Sequence, residues 1–316
     1  MIFIFRIPSS LHRWTLLAAT ALLWCSCATS GGRGGLDRPA EIQMHSDTSH
    51  GEAIRVSLRL QDGREIPMLL DTGCDTVVLD QSYEPLLGRR LGLGASRLPA
   101  YGALAAGVYE APPLYLGNTR LRTGPYVNTI DFSRISLASK GIRGLLGMGC
   151  LKYYCVQLDF QANRIRFLDP GTIDKHSLGT PFDLVGPSDL SRVSIRENLA
   201  GVNGFQSVVD TGDSLDGALL PDLFQRVIAE KNAAVVNTGK LGFGIPFTAA
   251  YLLKAKIGDE TYRDLRIHES SAANMLGLRF LERHLVTFDF PHRKMYLKRI
   301  ETGASMRDFP GLVPVR

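Results

Sequence analysis

The most constraining feature of this sequence is a tripeptide, Asp-Thr-Gly, that occurs twice in matching surroundings. It occupies 71–73 and again 210–212. Each copy directly follows an apolar stretch, 66–70 in the first case and 205–209 in the second. A turn-like segment precedes each stretch, and an alternating segment that begins Arg-Val-Ser precedes each turn. Alternation of apolar and polar residues is typical of a half-buried strand, so each copy predicts two strands, the second ending at the tripeptide.

The correspondence between the two copies continues downstream. A glycine-centred hairpin is predicted around Gly117 in the first copy and around Gly258 in the second. The apolar glycine motif at 144–149 (GLLGMG) is matched at 274–278 (NMLGL). Each copy then closes on a pair of alternating strands. A repeat of this extent predicts two homologous, β-rich units with few helices, the best helical candidate being 222–231.

These matches predict how the chain is organised. Hydrophobic residues make up 45% of the 316 residues and charged residues 21%, which is typical of a globular protein with a sizeable core. The predicted parts are a signal peptide at 1–28, a flexible linker at 29–50, a first unit at 51–170, a linker at 171–186, a second unit at 187–300 and a tail at 301–316.

The N-terminus is predicted to be an export signal. Arg6 and Arg13 give it a basic start, and the apolar run at 14–24 is too short to span a bilayer. Cleavage after Ala28 would release a periplasmic or secreted protein. Cleavage before Cys27, followed by its lipidation, would anchor the protein to the cell envelope. The glycine-rich residues that follow are typical of a tether and favour the lipoprotein.

Composition argues against several other classes of protein. The net charge of +5 is mild, and no basic stripe interleaved with aromatic residues is present, so we expect no nucleic-acid partner. No Cys-x-x-Cys pair or Cys/His spacing typical of a metal site occurs, so we expect neither a metal nor a cofactor. Outside the export signal, Cys74, Cys150 and Cys155 are an odd number, which predicts buried thiols with at most one disulfide.

Two apolar residues before Asp-Thr-Gly, with two apolar residues and a glycine downstream, resemble the signature of pepsin-like and retroviral-type aspartic proteases. The pairs here are 69–73 with 145–147 and 208–212 with 275–277. The resemblance covers nearly all of the mature chain and is greatest to bacterial retropepsin-like proteins, with both lobes in one chain. It implies an all-β, bilobal acid-protease fold of two β-barrel-like lobes, in a monomer that is an internal pseudo-dimer.

The resemblance implies that Asp71 and Asp210 are a catalytic pair. Two carboxylates about 3 Å apart cannot both ionise cheaply, so they share one proton. The ionised member would activate a water molecule, and the protonated member would hydrogen-bond the peptide carbonyl. This implies an aspartic endopeptidase that hydrolyses peptides or unfolded proteins without a cofactor.

Four further residues are implied to support the pair. The hydroxyls of Thr72 and Thr211 would cross to backbone groups of the opposite lobe and hold the carboxylates in place. Gly73 and Gly212 would supply the backbone freedom that a sharp turn needs.

A flap over the cleft is also implied. The small-residue segment 99–113 contains Tyr101, Gly102 and Tyr109 as candidate flap or substrate-binding residues, although a surface loop with incidental tyrosines is an equal interpretation. The matching place in the second copy is 239–247. Retroviral-type enzymes use two flaps and pepsin uses one, and the sequence is compatible with either.

The two copies differ directly after Asp-Thr-Gly, where the family has a small residue. Here the residues are Cys74 and Asp213. If Asp213 points inward, its charge should raise the pKa values of the pair and move activity toward neutral pH. If it points outward, it could bind substrate backbone, as could Asp75, or simply be satisfied by nearby backbone. Asp216 is predicted to be a turn residue.

The leading functional hypothesis is an active endopeptidase of the bacterial envelope. The alternative is a catalytically weak or inactive peptide-binding lipoprotein with the same fold. A purely structural lipoprotein would have no use for the doubled motif. Retention of both aspartates and both threonines favours the enzyme.

Overall fold

The computed structural model describes residues 37–44, 53–98, 102–240 and 246–300, which form an all-β architecture with a few short helices. The strands of the first half are β1 (Ile42–Gln43), β2 (Arg55–Leu60), β3 (Glu65–Leu70), β4 (Val77–Asp80), β5 (Arg90–Leu98), β6 (Gly102–Glu110), β7 (Leu114–Leu116), β8 (Thr119–Arg120), β9 (Tyr126–Ile130), β10 (Gly144–Leu146), β11 (Cys155–Asp159) and β12 (Arg164–Leu168). Those that follow are β13 (Thr180–Asp183), β14 (Ser194–Ile195), β15 (Ser207–Asp210), β16 (Gly217–Leu219), β17 (Ala233–Lys240), β18 (Pro246–Ile257), β19 (Glu260–Glu269), β20 (Met275–Gly277), β21 (His284–Asp289) and β22 (Lys294–Arg299).

The helices are short. They are α1 (Met148–Leu151), α2 (Pro221–Ala229) and α3 (Leu278–Leu281), with 3-10 turns at Gln81–Leu86, Phe132–Arg134, Ser136–Lys140, Lys175–Leu178 and Phe290–His292. The predicted helix at 222–231 is therefore present as α2, which begins with a proline whose missing N–H costs nothing in the first turn. In the part of the chain that the structure describes, no helix has the length and apolar character needed to cross a membrane.

Two sheets with the same strand order repeat the architecture. In the first half the order is β2-β3-β10-β4-β9-β6-β5, and in the second half it is β14-β15-β20-β16-β19-β18-β17. Each pairing also has the same sense in both sheets, including the parallel pairs β3–β10 and β15–β20. The first sheet is longer because β7 and β8 extend it beyond β2. The repeat predicted from the sequence is therefore a repeat of topology.

A third sheet joins the two halves, with the order β1-β12-β11-β21-β22-β13. At its centre β11 pairs antiparallel with β21, and Gln157 lies opposite Thr287. The Gln157 amide donates a hydrogen bond to the Thr287 hydroxyl over 2.9 Å, and both side chains are buried. The closing hairpins of the two copies therefore pair with each other, and their register is symmetric about this hydrogen bond.

Both predicted linkers contain ordered strands, which corrects the expectation of a flexible segment at 29–50. Within 29–50, Ile42–Gln43 pairs with β12, and the Met44 side chain is buried. Within 171–186, Thr180–Asp183 pairs with β22. These two segments form the opposite edges of the shared sheet, so they contribute backbone hydrogen bonds rather than spacing alone. Cys27 and the export signal lie outside the described residues.

A buried carboxylate, Asp216, is not the turn residue that its sequence context predicts. Its side chain has no exposure and accepts a 2.7 Å hydrogen bond from the backbone N–H of Arg266. The guanidinium of Arg283 donates two further hydrogen bonds, of 2.9 and 3.1 Å, and Arg279 lies 3.6 Å away. Asp216 thereby ties β16 to β19 and to the segment after α3.

We expect Asp216→Ala to lower the free energy of unfolding by about 3 kcal/mol, because it removes the buried carboxylate that pairs with the partly buried guanidinium of Arg283. Asp222→Ala is the matched control, since Asp222 is exposed in the first turn of α2 and should cost less than about 1 kcal/mol. Urea unfolding followed by circular dichroism measures both. Equal losses in the two variants would show that the Asp216 ion cluster does not stabilise the fold.

Candidate active site

The two Asp-Thr-Gly turns lie where matching strands end. Asp71 follows β3, and its backbone N–H donates a 3.1 Å hydrogen bond to the carbonyl of Leu146 on β10. Asp210 ends β15 and lies opposite Gly277 on β20. Each tripeptide is therefore held by the glycine motif of its own copy, which explains why the two motifs occur together in the sequence.

The threonines of the two turns cross to the opposite copy, as the family resemblance implies. The Thr72 hydroxyl donates to the carbonyl of Val209 over 2.7 Å and accepts from the N–H of Thr211 over 3.1 Å. Reciprocally, the Thr211 hydroxyl donates to the carbonyl of Leu70 over 2.8 Å and accepts from the N–H of Thr72 over 3.0 Å. Both side chains are buried. Each turn thus completes the hydrogen bonding of the other.

Gly73 and Gly212 are required for space rather than for backbone freedom, which corrects the sequence-based expectation. Neither has a positive φ. A Cβ atom on Gly73 would lie 2.5 Å from either carboxylate oxygen of Asp210, and one on Gly212 would lie 2.9 Å from the nearer oxygen of Asp71. A Cβ atom does not approach other heavy atoms this closely, so only glycine lets each turn approach the opposite carboxyl group.

The two carboxyl groups are buried next to each other, with Asp71 6% exposed and Asp210 3% exposed. Burial raises the pKa of Asp71 to about 6, although its hydrogen bonds with Asp210 and with backbone N–H groups oppose that rise. Burial raises the pKa of Asp210 further above its ordinary value, and the charges of Asp71 and Asp213 add to the rise. The arrangement favours one proton on the pair, held by Asp210.

Backbone hydrogen bonds account for part of this difference. One oxygen of Asp71 accepts from the N–H groups of Gly73 and Cys74, at 2.9 and 3.1 Å. The corresponding oxygen of Asp210 accepts from Gly212 over 2.8 Å. Hydrogen bonds to a carboxylate stabilise its ionised form, so Asp71 is the better anion of the two.

The residues after the two tripeptides lie in different environments. Cys74 is fully buried, and it is a free thiol, as are Cys150 and Cys155. Asp75 is exposed, and its charge raises the pKa of Asp71 slightly further. Asp213 is mostly buried, and one of its oxygens lies 3.5 Å from Nε2 of His268. This contact was not predicted from the sequence, because a lone histidine in an alternating strand is not a recognisable motif.

The candidate flap residues belong to the hairpin of β5 and β6. Tyr101, which comes between the two strands in the sequence, lies outside the described residues, and Gly102 opens β6 with a φ of +72°. Tyr109 lies at the opposite end, paired with Arg90, and is only 7% exposed. Tyr109 therefore packs at the foot of the hairpin, which argues against it as the flap aromatic. In the second copy β17 pairs with β18 in the matching place, and residues 241–245 between them are likewise outside the described residues.

Comparison with known proteins adds information on the fold alone. No protein-family model matches the chain, and no curated protein sequence is significantly similar to it. Among solved structures it is similar to the crystal structure of Basic 7S globulin from soybean, with a TM-score of 0.52. That similarity covers 84% of this chain and 95% of the globulin at 14% sequence identity. At this identity the similarity concerns the fold and carries no information about the chemistry of the site.

We expect Thr72→Val to lower the free energy of unfolding by about 3 kcal/mol, because it leaves the buried Thr211 N–H and Val209 carbonyl without a partner. Thr72→Ser retains the hydroxyl and should recover most of that loss. Guanidinium unfolding curves of the two variants and the wild type measure the difference. A serine variant as unstable as the valine variant would show that the methyl group, rather than the crossing hydrogen bonds, matters here.

A second prediction concerns the close approach of the turns. Gly73→Ala should cost about 2 kcal/mol of unfolding free energy, since its Cβ forces the Asp210 carboxyl group to move. Gly92→Ala is the control, because nothing lies within 4 Å of a Cβ at Gly92 and its φ is not positive. Thermal unfolding by calorimetry compares the two. Similar melting temperatures for both variants would contradict the close approach.

Proposed function

We propose that this protein is an aspartic endopeptidase with a bilobal, pepsin-like fold, in which Asp71 and Asp210 are the catalytic pair. The observation that carries the proposal is the crossed arrangement of two Asp-Thr-Gly turns that buries two adjacent carboxyl groups. A structural turn would not need a glycine pressed against a carboxyl group from the other half of the chain. Two such turns, each dependent on the other, are what a shared-proton site requires.

The sheet arrangement supports the bilobal fold. Each half of the chain forms its own sheet with the same strand order, and the third sheet draws strands from both halves. A pair of homologous lobes over a common sheet would bring one carboxyl group from each lobe to the boundary between them. The positions of Asp71 and Asp210 are compatible with that arrangement.

The difference between the two carboxyl groups supports distinct roles in hydrolysis. Asp71, the better anion, takes a proton from a water molecule held between the two groups. Asp210, which holds the shared proton, donates a hydrogen bond to the peptide carbonyl as the water attacks it. Asp71 then passes the proton that it took from water to the departing nitrogen, and the carbon–nitrogen bond breaks.

The substrate proposed is an extended peptide or an unfolded protein segment. The hairpins β5–β6 and β17–β18 occupy corresponding places in the two sheets and could both cover such a segment. We also propose that the protein works outside the cytoplasm, either anchored to the envelope through Cys27 or released after cleavage at Ala28. The basic and apolar residues of the N-terminus support this location.

Replacement of either catalytic carboxyl group tests the proposal directly. We expect Asp71→Asn and Asp210→Asn each to lower the cleavage rate of an unfolded protein substrate by about a hundredfold or more. Asp62→Asn is the control, since Asp62 is exposed in the turn before β3. Circular dichroism would establish that the variants fold. Wild-type cleavage rates in the two folded variants would show that the proposal is wrong.

The pH dependence gives a separate prediction. Burial raises the pKa of Asp71 to about 6, so the pair loses its first proton near that pH. Below it both groups are protonated, no carboxylate is available to activate water, and kcat/KM should fall as the pH falls. Because the pKa of Asp210 is raised further, the active form should persist above that pH until Asp210 also ionises. A pH–rate profile with full activity at about pH 4 would contradict this assignment.

A further inference from the structure

A further carboxylate, that of Asp213, lies close enough to the catalytic pair for its charge to raise the pKa of Asp210. Asp213 follows Asp210 by three residues, and its N–H donates a 3.3 Å hydrogen bond to the Asp210 carbonyl. Its side chain is 9% exposed, and one oxygen accepts from the N–H of Leu215 over 3.1 Å. The other oxygen lies 3.5 Å from Nε2 of His268. A buried carboxylate needs a compensating charge, and His268 is placed to supply it.

The surroundings of His268 favour its protonated form on geometry alone. Its Nδ1 lies 3.0 Å from the backbone carbonyl of Glu269, and its Nε2 faces the Asp213 carboxylate. Both partners are hydrogen-bond acceptors, and only the imidazolium can donate from both ring nitrogens. The side chain is 14% exposed, so water screens this pair only weakly.

Among the described residues, Asp213 provides the charge that acts most strongly on His268. Burial lowers the pKa of His268, but the nearby Asp213 carboxylate and the Glu269 carbonyl together outweigh it, and the net direction is upward. The neighbouring positions on β16 and β18 are Ala218 and Ala249, which carry no charge. Further titratable groups on the packed elements are Tyr251, Lys254 and Lys256 on β18, Asp222 and Arg226 on α2, and Glu260, Tyr262, Arg263, Asp264, Arg266 and Glu269 on β19 itself.

The first copy of the repeat has neutral residues at the matching places. Cys74 and Asp213 each follow Asp-Thr-Gly. Val78 on β4 and Ala218 on β16 correspond, because they pair with the matching residues of β10 and β20. Their partners on the other side are Asn128 and His268. The charged pair therefore exists on the Asp210 side alone, against a cysteine and an asparagine on the Asp71 side.

We propose that Asp213 and His268 form an ion pair whose net charge sets the pH at which the catalytic aspartates lose their first proton. The inference rests on the function proposed above, and both members are positioning residues because they act through Asp210. While His268 is protonated, the two charges cancel. When His268 is neutral, the unbalanced Asp213 carboxylate repels the negative charge that the catalytic pair gains when it loses its first proton.

The two members of the ion pair should have opposite effects when they are removed. His268→Asn leaves Asp213 unbalanced, so the first ionisation of the catalytic pair should move to higher pH by roughly half a pH unit or more. Asp213→Asn removes the repelling charge, so the same ionisation should move to lower pH. The double variant should resemble Asp213→Asn, because His268 acts only by neutralising Asp213.

The experiment is a pH titration of the full chain by NMR, with ¹³C-labelled aspartate carboxyl groups, alongside a pH–rate profile of cleavage. Asp71→Asn and Asp210→Asn assign the two signals. His292→Asn is the matched control, since His292 also pairs with an aspartate, Asp289, but is 56% exposed and lies beside the shared sheet. It should shift neither readout. Asp213→Asn retains the shape of the side chain and can be interpreted alone if His268→Asn does not fold.

Shifts of opposite sign, with the double variant close to Asp213→Asn, would support the proposal. Shifts of the same sign, or none beyond the His292→Asn control, would overturn it. The titration does not depend on cleavage. If the wild-type protein cleaves nothing but the two variants shift the titration in opposite directions, the endopeptidase proposal is wrong and the ion-pair proposal is supported. If the wild-type protein cleaves normally but the variants do not shift the titration, the endopeptidase proposal is supported and the ion-pair proposal is wrong.

Discussion

The exchange of hydrogen bonds between Thr72 and Thr211 is the interaction on which the site depends. Each hydroxyl satisfies a backbone N–H and a carbonyl of the other copy, all of them buried. Separation of the two copies would leave four buried backbone groups without partners, at a cost of about 1–3 kcal/mol each if water could not reach them. Neither turn is complete alone. The shared sheet meets the same requirement, because its central register is symmetric about Gln157 and Thr287.

A symmetric framework carries an asymmetric distribution of charge. The hydrogen bonds of Thr72 and Thr211 to the opposite copy are symmetric, and each glycine leaves room for the carboxyl group of the other copy. Asp71, however, accepts two backbone N–H bonds, whereas Asp210 accepts one and has the Asp213 carboxylate near it. Two identical carboxyl groups would have no preferred site for a shared proton. The residues that follow the tripeptides remove that ambiguity, because they raise the pKa of Asp210 further than that of Asp71.

The features that could be predicted correctly from the sequence are those that depend on local pattern. The doubled strands, hairpins and glycine motifs were predictable because side-chain periodicity and turn residues act over a few neighbouring positions. The prediction of a flexible linker at 29–50 was wrong in part. Residues such as Ile42 and Phe182 belong to edge strands whose partners are distant in the chain, and short strands leave no periodic pattern to detect. Asp216 was misjudged because a buried ion cluster is formed by arginines from other elements.

The sequence by itself determined that two copies of one unit exist and that each ends a strand in Asp-Thr-Gly, since both statements depend on local pattern. Only the tertiary structure decided why the glycines are needed, because the atoms that exclude a Cβ belong to the other copy. It also decided the surroundings of the aspartates. His268 and Asp213 are remote in sequence, and the pairing of β19 with β16 brings them together. Burial and charge depend on such non-local neighbours, which a linear pattern does not contain.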